Sequence, residues 1–142
     1  MADDAARSVR ASNRPRPLAR HPLEIRRDPL KGRGVFACAP IPARTVIEGA
    51  PVVIVPEEQR PLIDETILHD YYFQWDDGPE GEGRGVVAFG LISFCNHSHR
   101  PNARVRRNPA RDTLDLVAVS EIAAGEEITI DYQCTLWFDP QE

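Results

Sequence analysis

"FCNHSHRPN", residues 94–102, packs a cysteine, two histidines, two asparagines and a proline into nine positions. Three chemistries compete for it. In an extended strand Cys95, His97 and His99 alternate and share one face, as metal ligands would. Zinc needs a fourth donor or a water, however, and Cys38 and Cys134 stand alone, with no CxxC pair. Cys95 with His97 would make a nucleophile and its base, but such pairs are usually brought together by the fold rather than by adjacency. Pro101 also bars the helix whose N-terminus would stabilise an oxyanion. The third reading is a bent loop whose Asn and His side chains, both donors and acceptors, face a ligand or satisfy the loop's own backbone. The stretch alone does not choose between ligand and backbone.

Around it the chain reads as short β-prone pieces. LEIRR (23–27), the glycine turn DPLKGRG, VFA (35–37), TVIEG (45–49) and VVIV (52–55) come first, with Pro56 closing the last run. Residues 57–70 are the one helical stretch, interrupted by Pro61. YYFQW (71–75) and GVVAF (85–89) flank the acidic turn DDGPEGEGRG as partner strands. ARVRR (103–107) and TLDLVAV (113–119) form a hairpin across NPARD, and EIAAGEEITIDY (121–132) sets a glycine turn before an alternating strand. IPARTVIEG and IAAGEEITI echo each other as turn-then-strand, which is too few copies for a repeat protein. The expectation is mainly β (α+β minor): a flexible N-terminal arm over 1–20 and a single domain over 21–142.

Charge is unevenly placed. Residues 1–20 carry five Arg and two Asp, whereas nine acids against Arg60 alone lie between Glu57 and Glu82. That sign excludes a nucleic-acid binder. The acidic run is either a solvated face or a surface that recruits a basic peptide. No apolar run approaches the roughly 20 residues of a membrane span, and the N-terminus lacks a signal-peptide core. Three widely spaced cysteines argue for a reducing compartment, the cytoplasm.

In combination the stretch becomes decisive. KGRGVFA (31–37), ISFCNHSHRPNA (92–103) and GEEITIDY (125–132) occur in that order. Together they resemble the SET-domain protein-lysine methyltransferases, with their G-x-G, R-F-x-N-H-S-x-x-P-N and G-E-E-L-x-x-D-Y segments. The resemblance covers about residues 23–138, and YYFQW is similar to the family's Y-x-F strand. It implies the SET β-clip, small twisted sheets closed by a C-terminal pseudoknot in which one segment threads under another. The minimal size resembles the stand-alone SET proteins of bacteria and viruses.

The resemblance also implies an activity and a site. The activity is methyl transfer from S-adenosylmethionine to a lysine amine of a basic protein or peptide, as in the histone-lysine methyltransferases. The alternative is a non-catalytic SET module that binds a peptide or partner protein. By resemblance Tyr132 is the active-site tyrosine and Tyr71 a second channel hydroxyl, with Tyr72 its rival because a one-residue slip swaps strand faces. Lys31, Gly32, Arg33, Gly34, Asn96, His97, Tyr132 and Trp137 would hold the cofactor, Trp137 or Phe138 serving as its lid. Ile130, Tyr72 and Phe94 would line the lysine channel, Ile130 standing where the family usually has Tyr or Phe and leaving room for more than one methyl. The chain departs from the family at His99, which replaces a cysteine, at Ser93, which replaces Arg, and in lacking the cysteine cluster after Tyr132. No metal is therefore expected.

Overall fold

The computed structural model describes residues 19–79 and 81–132. β1 (Leu23–Asp28) and β2 (Gly32–Ala37) form the first hairpin, turned at Gly32 with φ +76°. β3 (Val46–Val55) is the longest strand; β4 (Phe73–Gln74) and β5 (Gly85–Ala88) follow, then β6 (Asn96–His97). β7 (Ala103–Asn108) and β8 (Thr113–Ala118) make the expected second hairpin, and β9 (Glu127–Ile130) is the last strand among the described residues. They assemble into two curled sheets, ordered β1-β2-β9-β6 and β4-β5-β3-β8-β7. Val35, Ile41, Ile47, Ile92, Leu114, Ile122 and Ile128, contributed by both sheets and the turns between them, are fully buried as one core. Among the described residues no helix is long and apolar enough to cross a membrane.

Three expectations change. TVIEG and VVIV are one strand, not two: Glu48–Pro51 pairs with β8 and Val52–Val55 with β5. Pro51 sits where β3 changes partner, so its missing N–H costs the ladder little. YYFQW contributes only Phe73–Gln74 to the sheet, because Tyr71 closes a 3-10 turn over Ile67–Asp70. Pro61 does not interrupt the helical stretch but starts α1 (Arg60–Asp64), where its fixed φ suits a first turn. Just before β1, Ala19 bridges Glu48 and the Arg20 amide donates to Ile47 O at 2.8 Å.

The echo between IPARTVIEG and IAAGEEITI has a physical counterpart. Ile41 and Ile122 exchange both backbone hydrogen bonds, at 2.8 and 2.9 Å. Arg44 N donates to Ala118 O as Gly125 N donates to Ala37 O, and Ala118 N donates to Thr45 O as Ala37 N donates to Glu126 O. The two turn-strand units are therefore related by a local two-fold, with Arg44 (φ +63°) and Gly125 (φ +83°) as equivalents. A Cβ at Gly125 meets nothing within 4 Å, so its only penalty is the left-handed backbone. Gly125→Ala should cost about 1 kcal/mol, and Arg44→Gly should be close to neutral. Urea unfolding checks both; a neutral Gly125→Ala would show that the second turn relaxes to another conformation.

Candidate functional site

The pseudoknot is built from residues 96–102 crossing 127–132. β6 pairs with β9 in parallel, Asn96 beside Thr129 and His97 beside Ile130, and Ser98 N extends the ladder to Ile130 O at 2.9 Å. Asn102 completes it with a side chain: Nδ2 donates to Glu127 O at 2.8 Å and Oδ1 accepts from Thr129 N at 2.9 Å. His97, buried, accepts the Tyr132 amide at Nδ1 (3.1 Å), which leaves the ring proton on Nε2, 3.4 Å from His99 Nδ1. The opening stretch is thus a bent segment holding the chain's own C-terminal strand.

That geometry bears on the competing readings of Cys95. Its thiol is buried, and burial first, then the charges of Glu48 and Glu127, push it well above the ordinary thiol range, so it is no thiolate nucleophile. Among the described residues no three His, Cys, Asp or Glu side chains are grouped to hold a metal ion. His97 Nδ1 is already engaged as an acceptor. Activity should therefore survive a strong chelator; loss of activity with loss of stoichiometric zinc would restore Cys95, His97 and His99 as ligands.

The predicted site residues fall into two groups. The first surrounds Gly34. Asn96 Nδ2 donates to Arg33 O at 3.2 Å and to Glu127 Oε2 at 2.7 Å, while Lys31 Nζ pairs with Glu127 Oε1 at 3.3 Å. A Cβ at Gly34 would lie 2.5 Å from Glu127 Oε2, so this glycine makes room for the Asn96–Glu127 clasp. The Arg33 guanidinium lies 4.5 Å over the Phe94 ring. Phe94 in turn meets the Tyr71 ring edge-on at 5.9 Å.

The second group lines a cleft of about 700 Å³ that includes Tyr71, Tyr72, Cys95, Ile130 and Tyr132. Tyr71 is the tyrosine turned toward Phe94. Tyr72 instead donates to Asp64 Oδ1 at 2.7 Å and receives Arg60 Nε at 3.4 Å; burial and the Asp64 bond raise its phenol above the usual range. Ile130 is fully buried in the core and shows the cleft only its edge. Arg33, Asn96 and Phe94 do not line this cleft. The two groups adjoin where Tyr71 packs on Phe94, and within the cleft the Tyr132 hydroxyl donates to Cys95 O at 2.9 Å while its ring lies 5.3 Å from His97. Trp137 and Phe138 lie outside the described residues. Ser93, in place of the family's Arg, donates to Ala88 O at 2.8 Å.

Acids of the run are partly engaged within the fold, and Asp64, Asp70, Asp76 and Asp77 line the cleft. Glu57 accepts Gly83 N at 2.6 Å, Asp76 pairs with Arg84 and Asp77 with Arg107, both at 2.6 Å, so these acids tie the 76–84 loop. Hydrogen bonds from the Arg84 side chain and amide pull Asp76 down to about 2. Sequence reasoning missed Asn102, Glu127 and the Cys95 carbonyl. The first two lie inside quoted motifs, but their partners are distant in sequence; a main-chain acceptor leaves no residue-type signal at all.

The SET domain family matches residues 32–133. A histone-lysine N-methyltransferase specific for H3 lysine-37, from Schizosaccharomyces pombe (strain 972 / ATCC 24843), is 37% identical over 126 residues, 88% of this chain and 82% of that protein. A Saccharomyces cerevisiae (strain ATCC 204508 / S288c) histone-lysine N-methyltransferase specific for H3 lysine-36 is 38% identical over 78% of this chain, which spans 16% of it. The Neurospora SET domain protein DIM-5, a histone lysine methyltransferase, shares the fold at TM-score 0.65 and 22% identity, over 87% of this chain and 56% of that one.

Proposed function

This chain belongs to the SET-domain family, and from that premise we propose that it transfers methyl groups from S-adenosylmethionine to lysine amines of a basic protein, histones among the candidate substrates. The observation that carries the reading is a cleft in which the Tyr132 hydroxyl sits on the Cys95 carbonyl, in the segment that also bears Phe94 and Asn96 of the Gly34 cluster, so that two reactants could be aligned across it. The residues present fit the cofactor's chemistry. Arg33 offers a cation for a carboxylate, Lys31 being paired with Glu127, and the Tyr132 and Cys95 oxygens suit an electron-poor methyl group. Lys31, Gly32, Arg33, Gly34, Asn96, His97 and Tyr132 would hold it. When bound, S-adenosylmethionine supplies the electrophilic methyl.

The chain's own task is to present a neutral, aligned amine. A lysine of ordinary pKa near 10.4 is neutral only a few times in ten thousand at pH 7, a deficit of about 4–5 kcal/mol. Apolar walls oppose the ammonium form, and Tyr71, packed on Phe94, and Ile130 supply them beside Tyr132. The Tyr132 proton is committed to Cys95 O, so toward an amine the hydroxyl acts as an acceptor and turns one N–H toward itself. Asn102 and the β6–β9 ladder hold the strand that carries it. A calorimetric titration with S-adenosylmethionine, followed by radiolabel transfer onto a panel of basic proteins, tests the proposal. One-to-one binding and label recovered on lysine are expected; neither binding nor transfer would leave a non-catalytic SET module.

A further inference from the structure

The cleft that reaches Tyr132 is lined by Asp64, Asp70, Asp76, Asp77 and Asp131 and by as many arginines. Arg60, Arg84, Arg104, Arg106 and Arg107 all line it. Four of the five are engaged within the fold. Arg84 and Arg107 hold Asp76 and Asp77, both at 2.6 Å, and Arg106 reaches the buried Asp115 at 2.9 Å. Arg60, itself buried, donates to Glu82 O and Gly83 O at 2.9 and 3.0 Å and lies over the Tyr72 ring.

Arg104 differs. It is exposed on β7, and among the described residues no carboxylate lies within ion-pair distance of it. It stands two residues, about 7 Å of strand, from Asn102, whose side chain grips Thr129 next to Ile130. Arg104 lines the same cleft as Ile130, Asp131 and Tyr132. Arg104 and Arg106 alternate onto the same face of β7, where Asp115 is occupied by Arg106, and the exposed Asp131 lines the cleft without lying within ion-pair distance of Arg104.

Resting on the lysine-methyltransferase reading above, we infer that Arg104 is a specificity residue: it selects substrate segments in which the target lysine has an acidic side chain at a flanking position. A guanidinium fork takes a carboxylate through two parallel hydrogen bonds, while a basic side chain set beside it is repelled. The substrate is then a mixed-charge segment of a protein that is basic as a whole. A uniformly basic tail would be the poorer ligand beside Arg104.

The test is a lysine-centred peptide library in which each of four positions on either side is in turn Glu, Ala or Lys, incubated with radiolabelled S-adenosylmethionine. Wild-type protein should favour Glu over Lys by about three- to tenfold in kcat/KM at one position and remain indifferent elsewhere. In Arg104→Glu the preference at that same position should invert, a readout that a merely structural role could not produce. Arg104→Gln should flatten it, which guards against a folding defect in the charge-reversed variant. Methylation with the same positional profile in all three proteins overturns the assignment of Arg104 and leaves the proposed function standing. A wild type that labels no peptide while also failing to bind S-adenosylmethionine overturns both.

Discussion

Tyr132→Phe is expected to lower turnover at least about tenfold, equivalent to ~1.4 kcal/mol of transition-state stabilisation, with cofactor affinity within a few-fold of wild type. The substitution is narrow. The ring contact with His97 and the Tyr132 amide bond to His97 Nδ1 need only groups that phenylalanine keeps. What disappears is the hydroxyl between Cys95 O and the cleft. The fold loses one hydrogen bond, worth about 1 kcal/mol, so the melting temperature should move by only a few degrees. The amine loses the acceptor that aligns its lone pair, so the loss should fall on kcat rather than on KM. Single-turnover kinetics on a saturating peptide checks it. Wild-type turnover in the mutant would move the chemistry away from the GEEITIDY segment altogether.

The parts of the fold that could be read from sequence are those whose signal is local. The β7–β8 hairpin combines turn residues with alternation, and it lies where NPARD and its flanks put it. β3 was unreadable as one strand because Pro51 resembles a stop; only the change of partner from β8 to β5 makes a proline tolerable there. The pseudoknot rests on a parallel pairing just two residues long between segments more than thirty residues apart, which leaves no periodic trace. It was legible only through the resemblance carried by the motifs. The site divides in the same way. Tyr132, Asn96 and His97 announce themselves as side chains, but the Cys95 carbonyl belongs to the backbone and has no residue-type signature. The acids at 76 and 77 could be counted from sequence, but pairing Asp76 with Arg84 requires the loop to close on itself, and pairing Asp77 with Arg107 requires it to lie against β7.

The largest loss of stability should come from Asn102→Ala. Asn102 uses its side-chain amide as a stand-in for a neighbouring strand, donating to Glu127 O and accepting from Thr129 N, while its own carbonyl accepts Val119 N at 2.8 Å. Alanine keeps the last of these and abandons the first two. The abandoned groups belong to β9, held by β2 on one side and by the two-residue β6 on the other, so no other strand can replace them. Two partly buried backbone groups left without partners should cost about 2–3 kcal/mol, lowering the melting temperature by roughly 10 °C. Asn96→Ala separates this effect from a binding effect. Its amide joins Arg33 O and Glu127 Oε2 rather than the β9 backbone, so it should weaken cofactor affinity more than it lowers the melting temperature. β9 leads directly into Tyr132, so Asn102→Ala should also lose activity at temperatures where the domain remains folded, through local release of the strand end. Hydrogen exchange at the Thr129 amide reads that release directly. Unchanged protection there, with an unchanged unfolding midpoint, would mean that water takes over both bonds and that the pseudoknot is held by the β6 pairing and the packing of Ile128 and Ile130 alone.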